Sequence, residues 1–267
     1  SQNLHQIKIP PSLIKGIDDC LVEQMPTCEG CLAGKHHRHP TPKATSTRMQ
    51  EFGMRWFVDI SVVNIRSLSG CLYYLICVDD QSRWVRVYAL KRKTQVVEAL
   101  ENLRNWVKTQ TGREPKIIRT DNEGVLISDA WRAAREAAGI EQECTTPRRS
   151  HQNGPAERYI QTLDEIVTSL LHSSGASLGF WVDCLHYAMF VLNRLPCAGN
   201  PGGLSPYQRR YKVVPDVGKV RIFGCKAWAL VDGTERRKYQ AHSVECVLLG
   251  FGEEAPDRLA RKCYRLW

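Results

Sequence analysis

Apolar and polar positions follow two patterns along the middle of the chain. Short, mostly apolar runs indicate buried strands, and apolar residues that recur every three or four positions indicate amphipathic helices. The predicted strands are Trp56–Val63, Cys71–Val78, Trp84–Leu90, Pro115–Thr120 and Ile140–Thr145. The predicted helices are Gln95–Thr109, Asp129–Ala138, Pro155–Gly175 and Leu178–Leu195. This order of elements predicts an α/β domain with a mixed sheet.

The segments before and after this region differ from it in amino-acid composition. Residues 1–48 are rich in His and Pro, and Gly and Pro punctuate the chain after Pro196. Short apolar runs at Lys226–Val231, at Val244–Phe251 and from Tyr264 onward predict a small β module. We therefore predict three parts: residues 1–48, a core at 49–200, and a linker with an incomplete β module at 201–267. We expect the chain to be a piece of a longer protein, because it lacks an initiator Met and its last strand looks cut short.

The charge of the chain indicates a class of partner, and its cysteines indicate a redox compartment. Lys and Arg total 37 against 28 Asp and Glu, which gives a net charge of +9 and favours an anionic partner, above all nucleic acid. The 11 cysteines are scattered through apolar runs, as expected of free thiols in a reducing compartment. No stretch is apolar enough to predict a signal peptide or a membrane span, so we predict no membrane partner.

Three acidic residues stand at positions that suit a metal site. Asp59 interrupts an apolar strand, Asp121 follows one, and Glu157 lies in the first turn of the long helix, at the border of its buried stripe. Carboxylate oxygens suit Mg²⁺ and Mn²⁺, and a pair of such ions can activate an attacking oxygen and stabilise a leaving one. The three positions predict the two-metal site of an enzyme that acts on phosphodiesters.

Each acid also has a purely structural explanation. Asp59 could pair with Arg55 or Arg66 on an edge strand, Asp121 could form a turn, and Glu157 could interact with the helix dipole. These are three independent coincidences, whereas one shared metal site explains all three residues together. We therefore favour the shared site.

Beyond the three acids, the chain carries a series of short motifs. They are Phe57-Val58-Asp59, Arg119-Thr120-Asp121-Asn122, His151-Gln152-Asn153-Gly154-Pro155-Ala156-Glu157-Arg158, Leu192-Asn193-Arg194-Leu195-Pro196, Ser205-Pro206-Tyr207, Arg221-Ile222-Phe223-Gly224-Cys225-Lys226-Ala227 and Leu248-Leu249-Gly250-Phe251. In this order they resemble the integrases of long-terminal-repeat retrotransposons, specifically the Ty1/copia group. The likeness covers most of the chain, and the stretches around Glu157 and Phe223 are its most specific parts.

The resemblance implies an RNase H-like core, which is a mixed five-stranded sheet flanked by helices. It implies that Asp59, Asp121 and Glu157 bind two Mg²⁺ or Mn²⁺ ions. The implied enzyme is a DNA strand transferase and endonuclease that trims the 3′ ends of element DNA and joins them to target DNA. The implied partners are double-stranded DNA and further copies of the chain, with RNA as another candidate. The implied locations are the nucleus and, within a polyprotein, a cytoplasmic virus-like particle.

The loop before the long helix and the exposed flank of that helix are the predicted DNA-contacting surface, because loops beside a catalytic site commonly carry function. The candidates are Arg148, Arg149, His151, Gln152, Asn153, Arg158 and Gln161. Phosphate contacts by the arginines would be independent of DNA sequence and sensitive to salt. An ordinary solvated loop is the alternative.

Cys28 and Cys31 have the spacing of half a Zn²⁺ site, and a structural zinc ion takes about four ligands. The family completes this site with an upstream His pair, but only His5 precedes the two cysteines here. The ligand set for Zn²⁺ is therefore incomplete within the chain.

Two departures from the family pattern leave other functions open. Glu123-Gly124-Val125-Leu126 stands where the family has a Gly-rich turn with an acid and an aromatic residue, and Ile160 replaces a polar residue. Both departures fit a decayed or domesticated copy that binds nucleic acid without chemistry. A ribonuclease H is the enzymatic alternative, although it usually has a fourth carboxylate. Asp79 and Asp80 are interpreted as hairpin residues.

Overall fold

The computed structural model describes residues 48–121, 126, 128–144, 153–218, 220–232, 238–252 and 264–267. Arg48–Trp267 form one compact unit that contains a five-stranded and a three-stranded sheet. Across these described ranges, no helix combines the length and the apolarity that crossing a membrane requires. The predicted boundary between residues 200 and 201 stays a prediction.

The larger sheet is mixed, as the order of elements predicted. Its strands are β1 (Arg55–Val62), β2 (Tyr73–Asp79), β3 (Val85–Leu90), β4 (Ile117–Thr120) and β5 (Glu141–Cys144). They lie in the order β3-β2-β1-β4-β5. The pairs β1–β2 and β2–β3 are antiparallel, whereas β1–β4 and β4–β5 are parallel. β1 is therefore the central strand, with one neighbour of each kind.

Helices cover both faces of this sheet. They are α1 (Val96–Thr111), α2 (Asp129–Ala137), α3 (Gly154–Ser174), α4 (Trp181–Leu192) and α5 (Pro206–Tyr211). Ser128 caps α2 as predicted, because its hydroxyl accepts a hydrogen bond from the Trp131 amide at 3.4 Å. The long predicted helix is α3, and Gly175 ends it in the left-handed conformation, at φ 66°.

Alternating residues of the central strand enter two separate cores. Phe57 packs in one core with Ala156 and Leu163 of α3 and with residues of α4. Trp56 and Val58 face the opposite side and pack with Leu100 and other residues of α1. Burial on both faces explains why the β1 sequence is a nearly continuous apolar run. Asp59 has the same parity as Phe57, so its side chain leaves β1 on the face that α3 covers.

The predicted small β module is a three-stranded antiparallel sheet of β6 (Lys226–Leu230), β7 (Ser243–Phe251) and β8 (Tyr264–Leu266). It packs on α4 through aromatic pairs. The ring centroids of Phe190 and Phe251 lie 4.2 Å apart in a stacked arrangement, and those of Tyr187 and Phe223 lie 5.6 Å apart.

Part of the segment predicted as a linker is helical. α5 starts after Ser205, whose hydroxyl accepts a hydrogen bond from the Gln208 amide at 3.1 Å. The guanidinium of Arg210 lies 4.4 Å from the ring centroid of Trp84 and 4.6 Å from that of Phe52. These contacts fix α5 to the core, so the chain is not extended at this point.

Candidate active site

Asp59 lies on the central strand, which excludes the edge-strand explanation for this acid. The Ile60 amide donates a hydrogen bond to Asp59 Oδ1 at 2.8 Å. Arg55, which was considered as its partner, forms ion pairs with Asp80 at 3.5 Å and with Glu143 at 3.4 Å. Asp59 is only partly buried, so its side chain remains accessible on the face covered by α3.

Asp121 directly follows β4, at the point where β4 stops pairing with β1. The parallel register joins Phe57 to Arg119 and Val58 to Thr120, and Val58–Thr120 is the last pair. Asp59 and Asp121 are therefore the next residues on two neighbouring strands. Neighbouring strands lie about 5 Å apart, and residues in register share a face. If the register continued by one residue, Asp121 would lie beside Asp59.

Glu157 enters from the first turn of α3, which begins beside this point. The carboxamide nitrogen of Asn153, at the N-cap position of α3, donates a hydrogen bond to the Val58 carbonyl at 3.0 Å. Ala156 is fully buried in the core beneath, and Glu157 is partly buried. Glu157 therefore lies one helical turn after Asn153, which is hydrogen-bonded to Val58, the residue before Asp59.

The three acids share this region without forming a closed set of ligands. Within the ranges that the structure describes, no three His, Cys, Asp or Glu side chains form a group able to hold a metal ion. The donor chemistry nevertheless suits a hard divalent cation, since all three groups are carboxylates. Their backbone positions, just beyond the last β1–β4 pair and at one helix start, also suit a shared site. The metal site stays a prediction.

A network of charged residues that sequence reasoning did not identify lies on the same face. Arg119, two residues before Asp121, contacts Glu143 through two nitrogens, with Nε 2.7 Å from Oε2. Glu143 also contacts Arg55. Asp80 forms ion pairs with both Arg55 and Arg83, and its distance to Arg83 is 3.2 Å. The register of β4 and β5 pairs Arg119 with Glu143, and the acids at alternate positions of β5, Glu141 and Glu143, were the available signal.

A further carboxylate lies farther along α3. Asp164, two turns after Glu157, accepts a hydrogen bond at 2.9 Å from the hydroxyl of Tyr74 on β2. Burial raises the pKa of Asp164, and the bond from Tyr74 opposes this shift. Burial also raises the pKa of Tyr74, to which the charges of Asp164 and Asp59 contribute. Neither Asp164 nor Tyr74 was among the site residues predicted from the sequence.

Asp79 and Asp80 are hairpin residues, as interpreted from the sequence. Asp79 ends β2 and accepts hydrogen bonds from the Gly53 amide at 2.8 Å and from the Ser82 amide and hydroxyl at 2.7 Å. Burial raises the pKa of Asp79 to about 6, although these hydrogen bonds oppose the shift. Asp79 therefore stabilises the turn between β2 and β3.

The predicted DNA contacts are only partly within the described residues. Arg148, Arg149, His151 and Gln152 lie outside them, as do the predicted zinc ligands Cys28 and Cys31. Arg158 and Gln161 are exposed on α3, which suits a contact surface. Asn153 is 1% exposed, and its amide is engaged with Val58. This position favours a role inside the fold over direct contact with DNA.

Residues 50–150 match the family model described as Integrase core domain. The stretch from residue 50 to residue 150 is thus an integrase core domain. It is 30% identical over 240 residues, or 90% of this chain and 18% of the relative, to the retrovirus-related Pol polyprotein from transposon TNT 1-94 of Nicotiana tabacum. It is 27% identical over 227 residues, or 84% of this chain and 15% of the relative, to the corresponding polyprotein from transposon RE1 of Arabidopsis thaliana. These matches confirm the predicted resemblance to the integrases of copia-type retrotransposons.

The integrase core domain also has the expected fold. A chain in the cryo-EM structure of the simian T-cell lymphotropic virus intasome in complex with PP2A regulatory subunit B56 gamma aligns with a TM-score of 0.54. The alignment covers 86% of this chain and 81% of that chain at 15% sequence identity. The RNase H-like sheet flanked by helices is thereby confirmed. The chain spans less than a fifth of the length of the two plant polyproteins.

Proposed function

We propose that the protein is a retrotransposon integrase, a polynucleotidyl transferase that trims the 3′ ends of element DNA and joins them to target DNA. One observation carries this proposal. Asp59 and Asp121 are the first residues beyond the last β1–β4 pair, and the helix that carries Glu157 is hydrogen-bonded to the residue before Asp59. This arrangement of backbone supports a shared site for the three carboxylates.

In this proposal Asp59, Asp121 and Glu157 hold two Mg²⁺ or Mn²⁺ ions. When bound, such ions polarise a phosphodiester and favour the ionised form of an attacking hydroxyl or water. Asp59 and Asp121 supply adjacent oxygen ligands from a rigid sheet, so little rearrangement is needed to bring them together. Glu157, from the first turn of α3, would supply the third carboxylate. No covalent protein intermediate is required.

The proposed substrate is double-stranded DNA, and the net charge of +9 supports an anionic partner. Arg158 and Gln161 are exposed on α3, which supports the proposal that they contact the phosphate backbone. Joining two DNA ends calls for more than one copy of the site, so we include a homo-oligomer in the proposal. We propose the nucleus as the place of action, after a cytoplasmic virus-like particle. Zn²⁺ at Cys28 and Cys31 and binding of RNA stay predictions.

Asp121→Asn and Glu157→Gln test the assignment. Each change keeps the shape of the side chain and removes its charge, so Mg²⁺-dependent strand transfer should fall by about 100-fold or more. Retention of a DNA duplex should stay largely intact, because the proposed phosphate contacts are elsewhere. Asp129→Asn is the matched control, since the Asp129 side chain is 94% exposed on α2. Its strand-transfer rate should equal that of the unmodified protein.

Normal strand transfer by either variant would show that the site is assigned wrongly. The same preparations should be offered an RNA–DNA hybrid. Metal-dependent cleavage of the hybrid without any joining of DNA ends would replace the integrase with a ribonuclease H. Duplex retention without metal binding would instead indicate a decayed copy.

A further inference from the structure

Asn153 occupies the N-cap position of α3 without capping that helix. Asn is among the residues most favoured at this position, because its side chain usually accepts a hydrogen bond from an amide of the first helical turn. The Asn153 side chain makes no such bond. It points instead to β1, where its nitrogen donates to the Val58 carbonyl at 3.0 Å. Helix capping therefore does not explain why an Asn stands here.

The Val58 carbonyl lies at the end of the paired part of β1 and β4. Val58–Thr120 is the last pair between these parallel strands, and the next residue on each strand is an acid of the proposed site, Asp59 or Asp121. The Asn153 amide thus donates to the backbone carbonyl at the end of the parallel β1–β4 ladder. Glu157 follows it by one turn of α3. A single carboxamide thus links the start of the helix that carries Glu157 to the residue before Asp59.

The other end of the same carboxamide is unused. Asn153 is 1% exposed, and its oxygen finds no hydrogen-bond donor among the residues that the structure describes. A buried acceptor without a donor is costly, and such groups in native proteins call for a specific explanation. An amide that is retained here at this cost is better explained by a function than by stability alone.

We propose that Asn153 is a positioning residue that holds the start of α3 against the end of the β1–β4 ladder, and so sets the distance between Glu157 and the pair Asp59 and Asp121. This inference rests on the proposed function, because it assumes that the three acids share metal ions. It gives Asn153 a role inside the protein in place of the DNA contact predicted from the sequence. Loss of the amide should weaken metal binding without weakening DNA binding.

Two other buried asparagines provide matched controls for a merely structural effect. Asn193 is fully buried and donates to the Val85 carbonyl at 2.9 Å, and Asn200 is 4% exposed and donates to the Ser82 carbonyl at 2.8 Å. Both amides hold a backbone carbonyl, as Asn153 does, but on β3 and on the turn before it. Their loss should affect stability alone.

The test compares Asn153→Ala and Asn153→Ser with Asn193→Ala in the full chain. Ser is also a favoured N-cap residue, so Asn153→Ser keeps the start of α3, but its side chain is too short to reach Val58. The measurement is a Mn²⁺ titration followed by the electron paramagnetic resonance signal of free Mn²⁺, with and without a DNA duplex. Both Asn153 variants should bind Mn²⁺ about tenfold or more weakly and retain DNA normally. Asn193→Ala should unfold at a lower temperature but bind Mn²⁺ as the unmodified protein does.

Normal Mn²⁺ affinity in both Asn153 variants would overturn the inference. So would loss of DNA retention at normal Mn²⁺ affinity, which would return Asn153 to a direct DNA contact. Asp121→Asn separates this failure from that of the proposed function. If the unmodified protein binds no Mn²⁺, or if Asp121→Asn leaves binding unchanged, both proposals fail. If Asp121→Asn abolishes binding and the Asn153 variants do not change it, only the positioning role fails.

Discussion

The carboxamide of Asn193 makes two hydrogen bonds to the backbone of Val85. Its nitrogen donates to the Val85 carbonyl at 2.9 Å, and its oxygen accepts from the Val85 amide at 2.8 Å. Asn193 follows the last residue of α4, and Val85 begins β3, the edge strand of the larger sheet. The side chain therefore replaces the missing strand neighbour at the start of β3. It also explains the Asn in the Leu-Asn-Arg-Leu-Pro motif.

We expect Asn193→Ala to destabilise the protein by about 2–4 kcal/mol. The change removes two hydrogen bonds and leaves the amide and carbonyl of Val85 buried without these partners, which costs more than the bonds themselves contribute. The free energy of unfolding in urea measures the effect. Asn105→Ala, on the exposed face of α1, is the control and should change it by less than about 0.5 kcal/mol. Equal effects of the two changes would contradict the role of Asn193.

Gly224 lies where the C-terminal sheet touches the end of α3. Its φ is +78°, and a Cβ atom added to it would lie 2.4 Å from the Cβ atom of Ser174. Gly224→Ala should therefore cost about 2 kcal/mol or more, through both the strained backbone and the clash. We expect this change to loosen the packing of β6–β8 on α4, detected as faster limited proteolysis after residue 220.

A second substitution separates the two causes. Ser174→Gly removes the atom that clashes but leaves the φ of residue 224 unchanged. The double variant should recover part of the stability lost in Gly224→Ala and not all of it. Full recovery would show that backbone strain is absent, and no recovery would show that Ser174 does not limit the space.

The strands and long helices of this fold could be predicted because each follows a local pattern. β1 was expected at Trp56–Val63 and lies at Arg55–Val62, since burial on both faces makes its sequence apolar throughout. The helix α5 was missed because Gly202, Gly203 and Pro215 indicate a linker. A local signal was nevertheless present, since Ser205 before Pro206 has the chemistry of a helix start.

The three acids proposed for the candidate site were also predicted from sequence, whereas the positioning role proposed for Asn153 was not. Asp59 interrupts an apolar strand, and Asp121 and Glu157 belong to short motifs that resemble those of the family. Asn153 looked like an exposed loop residue because its partner, Val58, is 95 positions away along the chain. The role of a buried amide depends on which backbone carbonyl it meets, and local periodicity contains no information about that contact.

His186 on α4 gives the protein a predictable response to acid. Burial, followed by the charges of Arg265 and Arg86, lowers the pKa of His186 to about 4. In the unfolded chain the imidazole takes up a proton near pH 6.5, whereas in the folded protein it stays neutral down to about pH 4. The unfolded state thus binds more protons in this window, so stability should be lost as the pH falls from about 6.5 to 4.

Comparison with His186→Gln isolates this contribution. The unmodified protein should lose on the order of 2 kcal/mol more than the variant between pH 7 and pH 4.5, measured by urea unfolding at each pH. Asp79 acts in the opposite direction in the same range, because its pKa is raised to about 6 and its contribution is lost as the pH rises. Both proteins contain Asp79, so its effect cancels in the difference. Parallel pH profiles for the two proteins would contradict the assignment to His186.

The ion pair of Arg119 and Glu143 should be much stronger than the surface pairs of this protein. Both side chains are mostly buried, at 19% and 26% exposure, and Arg119 contacts the carboxylate through two nitrogens. The pair Arg132–Asp129 has a longer separation of 3.2 Å, and its side chains are 56% and 94% exposed. Water and salt screen the exposed pair, whereas the two-nitrogen geometry and partial burial strengthen the other.

Double-mutant cycles measure the two interactions directly. With Arg119→Met and Glu143→Gln we expect a coupling energy of about 1–2 kcal/mol, and with Arg132→Met and Asp129→Asn one below about 0.5 kcal/mol. Raising NaCl to 1 M should abolish the second coupling and leave most of the first, since charges buried beside β4 and β5 are poorly screened. Equal couplings, or equal loss in salt, would mean that the Arg119–Glu143 pair is as solvated as a surface pair. In that case the hydrogen bonds of the sheet, and not this ion pair, would stabilise the backbone before Asp121.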